Sequence, residues 1–210
     1  MRRFISTLTS CLMVVLSIAA QSPFGIKAGV QYSDQIGSGE LPGHMFAYLV
    51  GLTYEHHLND SKLAIVPELL FSAQGIKSDY MIKGGERDNL LIEPTDINTT
   101  FTCNYLNVPV MLRYYVTESI GIDVGSQLGL NVKSKYKSDY VDEKTGEKIH
   151  EGGPHRSFVN SFDLGFGAGI NYKLSGHFSL QTRYTIGLIH VIKGYDSHNR
   201  CLSLSLGYNF

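Results

Sequence analysis

From Phe24 onward the chain alternates apolar and polar residues with a period of two, the spacing of β-strands whose side chains point to opposite faces in turn. Eight segments carry the pattern. In the first, about Phe24 to Tyr32, the residues Phe24, Ile26, Ala28, Val30 and Tyr32 share a face. Phe46, Tyr48, Val50, Leu52 and Tyr54 do so in the second, about His44 to His56. The third, about Leu63 to Gly75, aligns Leu63, Ile65, Pro67, Leu69 and Phe71. The fourth aligns Leu106, Val108, Val110, Leu112 and Tyr114, with a start reaching back as far as Thr99. Ile120, Ile122, Val124, Leu128, Leu130 and Val132 mark the fifth, and Phe162, Leu164, Phe166, Ala168, Ile170 and Tyr172 the sixth. Phe178, Leu180, Tyr184, Ile186 and Leu188 mark the seventh, and Leu202, Leu204, Leu206, Tyr208 and Phe210 the eighth.

The connections alternate in length. Ser33 to Gly43, Lys77 to Asn98 and Tyr136 to Arg156 are long, and Ile192 to Arg200 is intermediate. His57 to Lys62, Thr117 to Ser119 and Leu174 to Gly176 are short. Long loops at one end and tight turns at the other are the arrangement of a membrane barrel, long side extracellular and short side periplasmic. An even strand count then leaves both termini in the periplasm.

A soluble barrel alternates too, so the chemistry of the polar face has to decide. A water-facing wall is rich in Lys, Glu, Asp and Arg. Here the polar face reads Gly125, Gln127, Gly129, Asn131 in the fifth segment, Asp163, Gly165, Gly167, Gly169, Asn171 in the sixth, and Ser203, Ser205, Gly207, Asn209 in the eighth. Small, mostly uncharged residues suit the inside of a narrow barrel, where about eight strands leave room only for side chains. The expected fold is therefore all-β: a single eight-stranded antiparallel up-and-down transmembrane β-barrel in the cell outer membrane. The 22 glycines, 13 tyrosines and 10 phenylalanines agree with it, and the absence of tryptophan removes the usual tryptophan of lipocalin strand one. A net charge of -1 with no basic block excludes a nucleic-acid partner.

Residues 1–20 read as a signal peptide, leaving 21–210 as the barrel domain. Arg2 and Arg3 form its basic start, Leu12 to Ala20 its apolar stretch, and Ser17-Ile18-Ala19-Ala20 the cleavage region, with the cut after Ala19 or Ala20. Leu8-Thr9-Ser10-Cys11 is rejected as a lipidation signal because most of the apolar run follows the cysteine.

By parity Lys27, Glu55, Glu68, Arg113, Asp123, Asp163 and Arg183 fall on the inner face. Buried charges persist only when paired and hydrogen-bonded, so members of the set Glu68, Arg113, Asp123, Asp163 and Arg183 are expected to form a lumenal network that plugs the barrel. The alternative is that they face ordinary pore water. Cys103 and Cys201, near the outer ends of the fourth and eighth strands, fall on opposite walls and are expected to be free thiols. Other candidate chemistry is weak. Gly165-Phe166-Gly167-Ala168-Gly169 lacks the helix that a nucleotide-binding loop needs. His150 and His155, with Asp139, Asp142, Glu147 and Glu151, read more readily as a solvated loop holding Lys144 and Lys148 than as a cation site. Ser203 and Ser205 face inward with no histidine at their level. No cofactor or metal is expected.

Six segments resemble the PorT-like family of Bacteroidetes-type outer-membrane β-barrels. They are Phe24–Gly29, Pro67–Gly75, Tyr105–Tyr115, Gly125–Gly129, Arg183–Leu188 and Leu204–Phe210, in order along nearly the whole mature chain. The resemblance implies an outer-membrane barrel, with a protein-export role in the type IX secretion system for the family's namesake. The ending Tyr208-Asn209-Phe210 resembles the aromatic C-terminal signal read by the barrel-assembly machinery, which makes Tyr208 and Phe210 its expected residues. Expected partners are outer-membrane lipid, that machinery, and secretion-system components. The expected function is a noncatalytic integral membrane protein with a structural or export-related role, acting through extracellular loops. The alternatives are a lipid-modifying enzyme, a narrow channel and a soluble periplasmic ligand-binding barrel.

Overall fold

The computed structural model describes residues 23–37, 43–59, 61–82, 85–87, 90–92, 95–141, 148–154 and 156–210, with side chains described except at 79–97, 141 and 156. The expected leader, residues 1–20, lies outside the described residues. Eight long strands make up the wall: β1 Phe24–Ile36, β2 His44–Tyr54, β3 Leu63–Ile82, β4 Thr95–Tyr115, β5 Ile120–Val141, β6 Phe162–Lys173, β7 Phe178–Gly187 and β8 His198–Asn209. Each pairs antiparallel with its neighbours in chain order, and β1 pairs with β8 from Gly25↔Asn209 to Ile36↔His198, closing the ring. Closure leaves the wall no free edge. At the short-turn end the seam is tied by the Phe210 amide donating to the Phe24 carbonyl at 3.0 Å.

The strands run further than the apolar alternation. β3 and β4 continue beyond the barrel to Ile82↔Thr95, and a small ladder, Gly85–Arg87 with Leu90–Ile92, lies in their connection. β5 reaches Val141 and pairs with Lys148–Pro154, so most of the expected loop from Tyr136 to Arg156 is ladder. The physical reason is that period-two apolarity marks only the stretch of strand with lipid on one side. Above it water replaces lipid on the outside, and backbone pairing holds the strand without an outward apolar face.

One irregularity reassigns the faces. Tyr105 pairs with Asn131 but Asn104 pairs with Lys133, so Val132 is an extra residue in β5. This bulge reverses parity above it. Ser134 therefore points inward and is buried, while Lys133, Lys135 and Lys137 stand exposed on the outside.

The wall has apolar residues outside and polar ones inside. Phe46 is 76 % exposed and Leu128 61 %, with Val30, Leu52, Phe162 and Leu204 all at least half exposed. Lys27, Gln31, Glu68, Asn107, Arg113, Asp123, Asn131, Asn171, Gln181 and Arg183 are buried on the inner face. A globular protein in water shows the reverse arrangement. Rings gather at the short-turn end of the outer wall, where Phe24 meets Tyr54 edge-on at 4.9 Å and Tyr208 meets Phe178 at 5.1 Å and Phe210 at 5.6 Å.

Candidate functional site

The lower lumen is crossed by side chains from five strands and one turn, each aimed inward by strand parity. Glu68 of β3 accepts two hydrogen bonds from the Arg183 guanidinium of β7, at 2.7 and 2.8 Å, and one from Lys27 of β1. Lys27 also donates to Gln181 Oε1 at 2.6 Å, and the Gln181 amide donates to Asp123 of β5. Arg113 of β4 grips Asp123 in a two-point pair at 2.6 and 2.8 Å and reaches Glu55 at 2.9 Å. Glu55 also accepts from Tyr115 and lies 3.0 Å from His57 Nε2. Three cations, Lys27, Arg113 and Arg183, thus face three carboxylates, Glu55, Glu68 and Asp123, with Gln181 joining the two halves. Two-point guanidinium–carboxylate pairs are the strongest and most directional of such contacts. A cavity of about 30 Å³ beside Arg183, bordered by Gln31, Ser72 and Asn107, has room for about one water.

Of the five residues expected to form the network, the structure brings together Glu68, Arg113, Asp123 and Arg183. Asp163 stands apart, higher on β6, where it accepts from Asn199 at 3.0 Å; the same Asn199 amide donates to the Tyr105 hydroxyl at 3.3 Å. Gln181 and Tyr115 were not anticipated, although they share the inward parity of Arg183 and Arg113. Above Asp163 the interior turns apolar. Ile76, Phe101, Cys103 and Tyr105 from the tall strands pack with Val159 and Val191 from the long connections, and Tyr136 and Ile192 lie against them. The bridge Val159↔Ile192 ties two of those connections together over the mouth. Gly75 permits this close approach: its φ is +149°, and a Cβ there would lie 1.9 Å from the Phe101 carbonyl oxygen.

Other candidate residues have ordinary partners. Ser203 and Ser205 donate to the carbonyls of Arg183 and Gln181, at 3.2 and 3.5 Å. Cys103 and Cys201 are both buried and free. Across the β5 ribbon His150 contacts Asp139 at 2.7 Å, and Lys137 donates to the same carboxylate at 3.1 Å. Those two contacts, His150 first, hold the Asp139 carboxyl below its usual range. Asp142, Lys144, Glu147 and His155, also named for that loop, lie outside the described residues.

A closed antiparallel ring of eight strands, apolar outside and polar inside, defines a membrane-spanning β-barrel. The chain belongs to the outer membrane protein beta-barrel domain family, whose model matches residues 19–193. It is thus an integral barrel of the cell outer membrane. No curated protein matches it. Among solved structures it is similar to the attachment invasion locus protein Ail of Yersinia pestis, in complex with the heparin analogue sucrose octasulfate. That match has 15% identity over 89% of this chain and 97% of that one, with a TM-score of 0.46. Neisserial surface protein A is similar at 13% identity over 90% and 98%, TM-score 0.49. The outer membrane protease OmpT from Escherichia coli is similar at 5% identity over 89% and 96%, TM-score 0.44. At these values the likeness does not extend to function.

Proposed function

We propose that this protein is a noncatalytic outer-membrane barrel that works through the ribbons on its long-loop side. Its lumen would be a structural plug rather than a pathway. The observation that carries this is the filled interior, with the six-charge network below and the apolar cluster of Ile76, Phe101, Tyr105, Val159 and Val191 above. In this reading the long side is extracellular and the two ends of the barrel chain are periplasmic. Tyr208 and Phe210 serve as the recognition end for the assembly machinery. The outward lysines Lys133, Lys135 and Lys137, directly above the lipid-facing Leu128 and Leu130, meet the phosphates of outer-leaflet lipid. The strand segments that resemble the PorT-like family favour a structural or protein-export-related role of the type IX secretion kind, with secretion components as partners of the ribbons.

Planar-bilayer recording tests the central point. Purified barrel should give no stepwise conductance, whereas regular unitary steps would make it a channel. Photo-crosslinkers placed at Lys135 and Glu151 in living cells should capture protein partners at the ribbon if the export reading holds, and only lipid if the ribbon has no protein partner.

A further inference from the structure

The connection from β7 to β8 brings together three side chains that the network does not use. The Val191 amide donates to the Ser197 carbonyl at 2.6 Å, which sets the two residues opposite each other as in a short ladder. Their side chains turn inward, 2 % and 1 % exposed. Alternation then puts His190, Asp196 and His198 together on the opposite, outward side. One oxygen of Asp196 lies 3.6 Å from His190 Nδ1 and 3.3 Å from His198 Nε2, and the two rings are 4.6 Å apart.

We propose that His190, Asp196 and His198 bind a divalent transition-metal ion of the zinc class on the outer side of this connection. Two imidazoles and a carboxylate are a donor set suited to such ions. Around a tetrahedral ion with bonds of about 2.0–2.1 Å, donors lie about 3.3 Å apart. The two distances to Asp196 already match that edge. The three donors lie within 4.8 Å of one another, so the histidine–histidine edge closes to a tetrahedral one with a shift of about 1.5 Å or less, within reach of ring rotation. Three protein ligands leave the fourth position to water or an external ligand.

The surroundings fix the backbone that carries the donors. His198 lies on β8, paired with Ile36 of β1, and points Nε2 at Asp196, while its buried Nδ1 has no hydrogen-bond partner among the described residues. The His190 carbonyl accepts from the Asn160 side chain at 2.7 Å. Gly37, at φ +143°, lets the end of β1 close over Asp196, since a Cβ there would lie 2.0 Å from the Asp196 carbonyl oxygen. Two cations of the same region have partners of their own: Lys193 donates to the Ser157 carbonyl at 3.0 Å, and Arg200 grips Asp34 at 2.7 Å. Because Val191 carries this connection into the apolar cluster, a bound ion would clamp the connection over the barrel mouth.

The test uses the full chain without an affinity tag, folded in detergent micelles and titrated with Zn²⁺ and with Co²⁺. We expect one ion per chain at this site, a visible Co²⁺ absorption of tetrahedral type, and a melting temperature raised by Zn²⁺ and restored by chelator. Removing a ligand should cost no less than removing an outer partner of one, so His190→Gln and Asp196→Asn should each weaken binding at least about tenfold. Both positions are exposed, and folding of each variant is checked by its heat-sensitive migration in SDS. The triple variant His190→Gln, Asp196→Asn, His198→Gln should lose the site. The proposal is overturned if the parent chain gives no tetrahedral Co²⁺ signal, or if His190→Gln and Asp196→Asn bind Zn²⁺ as the parent does.

Discussion

Replacing Glu68 by alanine tests the lumenal network at its centre. The Glu68 side chain is fully buried, and it is the shared acceptor of Lys27 and of both Arg183 nitrogens. Removing it leaves two cations inside the barrel, with Gln181 Oε1 the remaining acceptor for Lys27. Breaking a buried pair from one side costs about 3–5 kcal/mol, because the orphaned charge cannot return to water. At about 1.4 kcal/mol per factor of ten, the folded-to-unfolded ratio should fall by about two to three and a half orders of magnitude. Adding Lys27→Met removes one orphan, so the double variant should recover about 1–3 kcal/mol relative to the sum of the singles. The chain has no tryptophan, so unfolding in urea is best followed by the migration shift in SDS and by far-ultraviolet circular dichroism. An unchanged urea midpoint for Glu68→Ala, or strict additivity in the double variant, would refute the network as a source of stability.

Arg113→Glu should destabilise at least as strongly, since it sets a carboxylate against Asp123 and Glu55; an unaltered melting temperature would count against the reading. Gly75→Ala should cost about 1–3 kcal/mol, because a side chain at φ +149° is strained and meets the Phe101 carbonyl; urea titration checks it. Cys103 and Cys201, buried and unbridged, should resist iodoacetamide in the folded barrel and react after boiling, as read by peptide mass spectrometry. The Asp139 contacts on the ribbon have a definite pH sign. A carboxylate held below its usual range contributes above the ordinary aspartate pKa and loses that contribution as pH falls through the lowered value. A ¹³C-carboxyl titration should show that His150→Ala raises the Asp139 midpoint more than Lys137→Ala does.

Alternation is a local property. Successive side chains on a strand must point to opposite faces, so Phe24 to Tyr32 or Leu202 to Phe210 declare their lipid side without knowledge of any other segment. The strand count, the short turns, the small inner face and the inward parity of Lys27, Glu68, Arg113, Asp123 and Arg183 all follow from that rule. What the rule cannot supply is which residues stand at the same height. That depends on register around the closed ring, a global quantity. Closure brings Lys27 to Glu68 across 41 residues and Arg183 to the same carboxylate across 115, while it leaves Asp163 with Asn199. The bulge at Val132 turns three lysines outward and Ser134 inward, and nothing local in Asn131-Val132-Lys133 marks it. The ribbons above the membrane are hidden for the opposite reason: with water in place of lipid outside, no outward apolar side reveals the strand, even where Ile76 and Phe101 turn inward to the apolar cluster. Only the folded ring set His190 and His198 on either side of Asp196, because a single backbone bond between Val191 and Ser197 decides which side chains of that connection face out together.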